Sequence, residues 1–166
     1  MKKVTASVSM EELSPIIESV ISSGSDAVLC ITGNSMLPLW RDRHNSVVLT
    51  ACDVNELKVG DIPLYKRENG QYVLHRIIKV NEDSFDLLGD AQWAIEKGLP
   101  KGCVLAVAKG YYTEKGKYVS CDSKKHKRYF AVWHSLLPIR RLILAVYKRT
   151  ILKIKKLNDR NGKNEG

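Results

Sequence analysis

The sequence predicts a mainly β protein: a compact, coiled antiparallel sheet of barrel-like form, with a short helix before it and amphipathic helices after it. Three observations carry this. Seven short β-rich stretches follow one another, at 27–32, 46–50, 62–66, 72–80, 84–88, 104–112 and 117–121. Turn signals separate them, including Gly33-Asn34, Gly60-Asp61, Asn69-Gly70, Gly89-Asp90 and Lys115-Gly116. No helix-length pattern alternates with the strands, which excludes a parallel α/β sheet.

Each element has a local reason. Ser9 and Glu12 stand at capping-box spacing, and Ser14 before Pro15 offers a second helix start. Ile16, Ile17, Val20 and Ile21 then form one apolar face, and Gly24 is placed to end the helix. Asn69-Gly70 between two β-rich stretches is the strongest hairpin signal in the chain. After Asp122 a basic run, Lys124-Lys125-His126-Lys127-Arg128, leads into two helical patterns broken at Pro138. In the second, Ile139, Ile143, Val146, Tyr147, Ile151, Ile154 and Leu157 recur at helical spacing. The expected organisation is a β domain with its N-terminal helix over 1–123, a basic amphipathic segment over 124–157, and a disordered tail over 158–166.

Charge divides along the same line. Residues 124–166 carry 13 Lys and Arg against Asp159 and Glu165, a net +11. Residues 1–123 carry 14 against 16 acidic residues, a net −2. The C-terminal segment is therefore the part expected to meet something anionic. Packing on the body together with contact at an anionic membrane surface ranks first, because it uses both the apolar face and the basic rim. Nucleic acid ranks below it.

The four cysteines, Cys30, Cys52, Cys103 and Cys121, form no CxxC pair and no Cys/His cluster. Reduced buried thiols are expected, with no metal site and no cofactor. The N-terminus has a short basic start but no apolar run behind it, and no stretch reaches the ~18 apolar residues of a spanning helix. The expected location is the cytoplasm, peripherally at the inner face of the membrane.

Chemistry concentrates in three places. Ser35 follows a Gly-Asn turn and precedes Pro38, a sharp reversal that exposes an Oγ and leaves backbone N–H groups free to face a cleft. His75 lies inside the apolar run Tyr72-Val73-Leu74-His75-Arg76-Ile77-Ile78, on the face of Val73 and Ile77. Burial there favours the neutral imidazole that a general base needs. Asp90, after Gly89 at a strand end, reads as a turn former or as the acid that orients a histidine. His44, His126 and His134 read as solvated or packing residues, Asp61 as a turn former, and Trp40 and Trp93 as cleft or core aromatics.

Together these boxes resemble those of type I signal peptidases and LexA-like peptidases. Gly33-Asn34-Ser35-Met36-Leu37-Pro38 resembles the G-x-S-M-x-P nucleophile box, and Val59-Gly60-Asp61-Ile62-Pro63-Leu64-Tyr65 the GDIV-type strand after it. Val73-Leu74-His75-Arg76-Ile77 stands where that superfamily has a base followed by Arg, and Gly89-Asp90-Ala91 resembles its later Gly-Asp box. Histidine at the base position is similar to the endoplasmic-reticulum and archaeal branch; most bacterial members carry Lys. The resemblance spans residues 31–91 and fades after about residue 110. It implies a serine peptidase acting through Ser35 and His75, with Asp90 as orienting acid. Gly33, Asn34, Met36 and Pro38 would border a peptide bound as an extended strand, with small residues before the cut.

The chain departs from the pattern at His44-Asn45-Ser46-Val47-Val48, where the family has Gly-Asp, and at Pro63. No membrane anchor is seen, and only about 26 residues precede the first β-rich stretch, too few for a DNA-binding domain. The expectation is a peptidase that trims a leader or signal-like segment, with a non-catalytic peptide-binding module as the alternative.

Overall fold

The computed structural model describes residues 10–140, 142–146 and 149. The chain divides into two compact units, one ending at Phe130 and one beginning at Ala131. The first is mainly β, a strongly curled antiparallel half-barrel with a short helix.

The helix α1 covers Met10–Ser22 and carries Pro15 in its interior, so it starts ahead of the Ser14-Pro15 step. Ser9 of the expected capping box lies outside the described residues. Gly24 ends the helix as its sequence suggests. It adopts φ +80°, its N–H donates to Ile21, and the Ser25 N–H donates back to Val20. This pair of bonds satisfies helix-end carbonyls, and glycine takes that φ without strain. Ile17 and Ile21 are buried in the core, while Ile16 is exposed. Burying side chains of this size contributes roughly 1.5–3 kcal/mol each.

Among the described residues nine strands follow: β1 (Ala27–Cys30), β2 (Ser46–Thr50), β3 (Pro63–Lys66), β4 (Tyr72–Leu74), β5 (Arg76–Val80), β6 (Ser84–Leu88), β7 (Glu96–Pro100), β8 (Val104–Tyr112) and β9 (Tyr118–Ser120). Six make one sheet in the order β1-β2-β8-β3-β4, with β9 added on β8; the other three make a second sheet, β5-β6-β7. Every pairing is antiparallel. Pro63 is the first residue of β3, where a missing donor is tolerated. The β3–β4 hairpin turns through Asn69-Gly70, as expected, with Gly70 at φ +82° and the Arg67 N–H donating to Gln71 at 2.9 Å.

Two expectations need correction. The stretch 72–80 is not one strand. It breaks at His75, with β4 in the first sheet and β5 in the second. The strand β7 was also not legible, since Glu96-Lys97-Gly98-Leu99-Pro100 has little β character and Gly98 takes φ +71°.

Two cores result. One gathers Ile17, Ile21, Trp40, Val47, Leu49 and Leu64 under α1 and the large sheet. The other gathers Leu57, Tyr65, Ile77, Phe85 and Leu87 between the sheets. Leu74 packs on the first and Val73 on the second. The period-two reading therefore survives the break: Val73 and Ile77 share a core, and His75 reaches Tyr65 of that core.

A helix α2, Lys124–Ser135, starts in the basic run. Turns cover 136–139 and helix resumes over 142–146, so the break at Pro138 stands. In the second unit Arg140 and Leu144 are buried, whereas Ile139, Leu142 and Val146 are exposed. The apolar positions Tyr147, Ile151, Ile154 and Leu157 lie outside the described residues. No helix among the described residues is long and apolar enough to cross a membrane.

Candidate functional site

The nucleophile box forms a turn between β1 and β2. Gly33 adopts φ +87°, and its N–H donates to Asp42 Oδ1 at 2.8 Å. The Leu37 N–H donates to Asn34 O and the Trp40 N–H to Met36 O, which coils the segment tightly. The Leu37-Pro38 peptide is cis. Met36 is buried and anchors the turn, while Ser35 is half-buried. Among the described residues nothing accepts the Ser35 backbone N–H, which leaves it available to an incoming oxygen.

A cleft of about 270 Å³ opens at this turn. Gly33, Asn34, Ser35 and Met36 border it together with His75 and Gln92. Pro38, expected at the substrate, does not border the cleft and points to solvent. The walls come from both ends of the large sheet: Leu29 and Cys30 on β1, Tyr72 and Leu74 on β4. The strand β1 pairs only with β2, and β4 only with β3, so each turns an unpaired edge outward among the described residues. The curl of the sheet brings those two edges to one cleft. Trp40 also reaches it, from a fully buried position with its ring edge-on to Tyr111. Trp93 is mostly exposed.

The loop after β6 closes the back of the site. The Ala91 N–H donates to the Ser35 carbonyl at 2.7 Å, which pins the nucleophile turn to this loop. Only glycine fits at position 89. A Cβ there would lie 2.7 Å from Ser35 O, 3.0 Å from His75 Nε2 and 3.0 Å from Gln92 Oε1. The same three distances show that Nε2 of the imidazole faces the nucleophile turn. Among the described residues no hydrogen bond joins Ser35 Oγ to Nε2 directly; in an unliganded site such bonds are often long and tighten when substrate arrives.

The acid behind His75 is Glu96, not Asp90. Glu96 Oε1 lies 2.8 Å from His75 Nδ1, and Tyr65 Oη lies 3.0 Å from the same nitrogen. Arg67 holds the carboxylate with both Nε, at 2.8 Å from Oε2, and a terminal nitrogen on Oε1. Burial alone would raise the Glu96 pKa; Arg67, His75 and Tyr65 outweigh it and hold the carboxyl below its ordinary value. An ionised carboxylate only accepts, so the Nδ1 position carries the proton and Nε2 presents its lone pair to the cleft. Burial lowers the His75 pKa and outweighs the raising effect of Glu96, so the ring is neutral near pH 7. Burial, then Glu96, pushes the Tyr65 phenol far up, so it remains a donor.

Asp90 serves a different partner. It receives Arg76 Nε at 3.0 Å and Arg76 Nη2 at 2.8 Å, a two-pronged pair with both side chains 2% exposed. Arg76 Nη1 donates to Gly60 O at 2.8 Å, and the Phe130 ring stacks on the guanidinium. Tyr129 Oη donates to Asp90 Oδ2 at 3.3 Å. His126 completes this cluster, 3.4 Å from Arg76, and is buried rather than solvated. Burial and then the Arg76 charge lower its pKa to about 4.

The other residues singled out in the sequence are placed as follows. His44 is exposed, 3.0 Å from Glu114. Asp61 shapes its turn by accepting the Lys58 N–H at 2.9 Å. All four cysteines are free thiols, but none is fully buried as expected: Cys30 is exposed on β1, and Cys52, Cys103 and Cys121 are half-buried. No group of His, Cys, Asp and Glu able to hold a metal occurs among the described residues.

Sequence reasoning missed Glu96, Arg67 and Tyr65 as parts of the site. Tyr65 and Arg67 stood in view on either side of Lys66, but nothing in the pattern marked Glu96. Its role exists only because β7 joins the small sheet beside the β4–β5 break. No family model, curated protein or solved structure matches this chain.

Proposed function

We propose that the protein is a serine endopeptidase of the signal-peptidase and LexA-like type, with Ser35 as nucleophile and His75 as general base. One observation carries the reading: a neutral, buried imidazole, held at Nδ1 by an ionised Glu96, presents Nε2 to the turn that bears Ser35. That is the arrangement acyl transfer requires, an acid fixing the tautomer and a lone pair directed toward the hydroxyl. Glu96 takes the orienting role that the motif resemblance assigned to Asp90.

In the proposed cycle His75 Nε2 takes the Ser35 Oγ proton as Oγ attacks a peptide carbonyl. The free Ser35 N–H receives the developing oxyanion. The amine leaves with the proton from His75, and water then hydrolyses the Ser35 ester. The substrate is an extended segment of a peptide or protein, lying between the unpaired edges of β1 and β4 and bonded through its main chain. A leader or signal-like segment fits that requirement.

The test is cleavage of a diverse peptide library read by mass spectrometry. Cuts made by the wild type and absent from both Ser35→Ala and His75→Ala support the reading; cuts that persist in Ser35→Ala overturn it. The missing direct Oγ–Nε2 bond favours a second reading, a module that clasps extended peptides without cutting them. Peptides retained but intact would select it.

The C-terminal unit supplies a place of action. Ile139, Leu142 and Val146 are exposed in a segment rich in Lys and Arg, which suits the surface of an anionic bilayer. Co-sedimentation with anionic but not neutral liposomes is the expected result, and equal pelleting with both would remove the electrostatic argument.

A further inference from the structure

The acid behind His75 comes from the small sheet, since Glu96 opens β7, whereas the residue that grips Glu96 comes from the large one. Arg67 follows β3 directly and lies in the β3–β4 hairpin, where its N–H donates to Gln71 O. From there its side chain reaches across to the other sheet. Nε donates to Glu96 Oε2 at 2.8 Å, Nη2 to Glu96 Oε1 and Nη1 to Gln71 Oε1. The oxygen that receives Nη2 is the same Oε1 that lies 2.8 Å from His75 Nδ1. Arg67 and Glu96 are 29% and 28% exposed, so water screens the pair and its value lies more in geometry than in stability. A glutamate side chain is flexible, and a two-pronged guanidinium fixes both its oxygens at once. Arg67 thereby decides where Oε1 stands relative to the imidazole.

The same guanidinium acts through its charge. Among the described residues, the titratable and charged groups facing the His75 ring come from several elements. They are Tyr65 on β3, Arg67 just past it, Glu96 on β7, and Asp90 after β6, which Arg76 pairs. Burial, the strongest influence, and Arg67 hold the ring neutral; Glu96 and then Asp90 favour its protonation. A carboxylate at Nδ1 with no cation behind it would orient the ring but also make it bind a proton more readily. We propose that Arg67 is a positioning residue for the His75 base: it fixes the Glu96 carboxylate from the other sheet and offsets its charge, which sets the pH range in which Nε2 is free to accept a proton. The catalytic meaning of this rests on the peptidase reading above; the arrangement of charge does not. Geometry and charge are separable, because Lys keeps the charge without the fork and Met keeps neither.

The experiment pairs NMR titration of the His75 ring in the full chain, assigned by the signal lost in His75→Gln, with turnover of a peptide found by the library screen. In Arg67→Met the His75 midpoint is expected to rise, and the acid limb of the rate profile with it, because the Glu96 charge is no longer offset. Adding Glu96→Gln to Arg67→Met removes both charges and should bring the midpoint down again. Arg67→Lys is expected to keep the wild-type midpoint yet lower kcat about tenfold with KM nearly unchanged, the size expected for one lost hydrogen bond. A midpoint that stays or falls in Arg67→Met overturns the inference, since a merely structural residue would not move it. Arg67→Lys turning over as fast as wild type also overturns it. Either result leaves Ser35-dependent cleavage, and the peptidase reading, in place. Cuts that persist in Ser35→Ala would instead remove the peptidase reading and the catalytic role of Arg67 with it, whatever the titration shows.

Discussion

His75 and Arg76 are neighbours in the chain, yet each ends on a different carboxylate in a different setting. His75 meets Glu96 beside the cleft, with Arg67 and Tyr65 completing the group. Arg76 meets Asp90 in the interior, with Gly60, His126, Tyr129 and Phe130 around it. The first network borders the cleft of Ser35 through His75 and Arg67; the Arg76–Asp90 pair is 2% exposed and does not border that cleft. Under the proposed function, the difference separates what tunes a reacting atom from what holds the scaffold in place. The two still communicate mechanically. Asp90 lies between Gly89, which leaves room for His75 Nε2, and Ala91, which holds the Ser35 carbonyl. The Arg76–Asp90 pair thereby fastens the loop on which the geometry of Ser35 and His75 depends.

The largest expected effect lies in the interior network. Asp90→Ala leaves the Arg76 charge buried without its partner and is expected to cost about 3–5 kcal/mol of stability. Urea unfolding checks this. The double variant Arg76→Met with Asp90→Leu should recover most of the loss, because it removes both charges and keeps the volume. A loss below 1 kcal/mol in Asp90→Ala would erase the distinction between the two carboxylates.

Glu96→Gln probes the other side. Its fold should survive, since the residue is partly open to solvent and the shape is kept. Its turnover should fall at least about a hundred-fold, equivalent to about 2.7 kcal/mol, because the neutral amide no longer fixes the Nδ1–H tautomer or stabilises the imidazolium. Turnover on any substrate found by the library screen measures it. A Glu96→Gln enzyme as fast as wild type, beside a folded but inactive Asp90→Asn, would return the orienting role to Asp90.

Acidification separates the networks more gently. His75 and His126 are both held neutral by burial, with pKa values below the ordinary 6.5. Below that value the unfolded chain binds protons that the native histidines refuse. Stability from these groups is therefore complete above about 6.5 and declines as pH falls, down to about 4 for His126. His126→Gln should flatten the lower part of this decline in melting temperature without moving the rate profile. The acid limb of the rate follows His75 and is expected to have its midpoint below 6.5. A limb above that value would mean that Glu96 outweighs burial.

Much of this protein was legible in one dimension, and the reason is that the legible parts are local. Gly24 ends α1 and Asn69-Gly70 turns the β3–β4 hairpin because φ above zero and turn chemistry belong to the residue itself. The alternation Val73, His75, Ile77 assigned a face because side chains on a strand alternate regardless of what they meet. Ser35 in its coiled turn and His75 in its apolar run were readable for the same cause. What escaped was everything that depends on which segments meet. The break at His75 arises because two sheets, each with its own curl, compete for one run of residues. His126 looked solvated among lysines, yet the start of α2 carries it into the interior beside Arg76. Along the chain Asp90 stood in a motif box, and nothing marked Glu96. Only the tertiary structure decided between them, because a hydrogen bond needs an atom within about 3 Å, and separation in sequence says nothing of that distance once strands from two sheets converge on one imidazole.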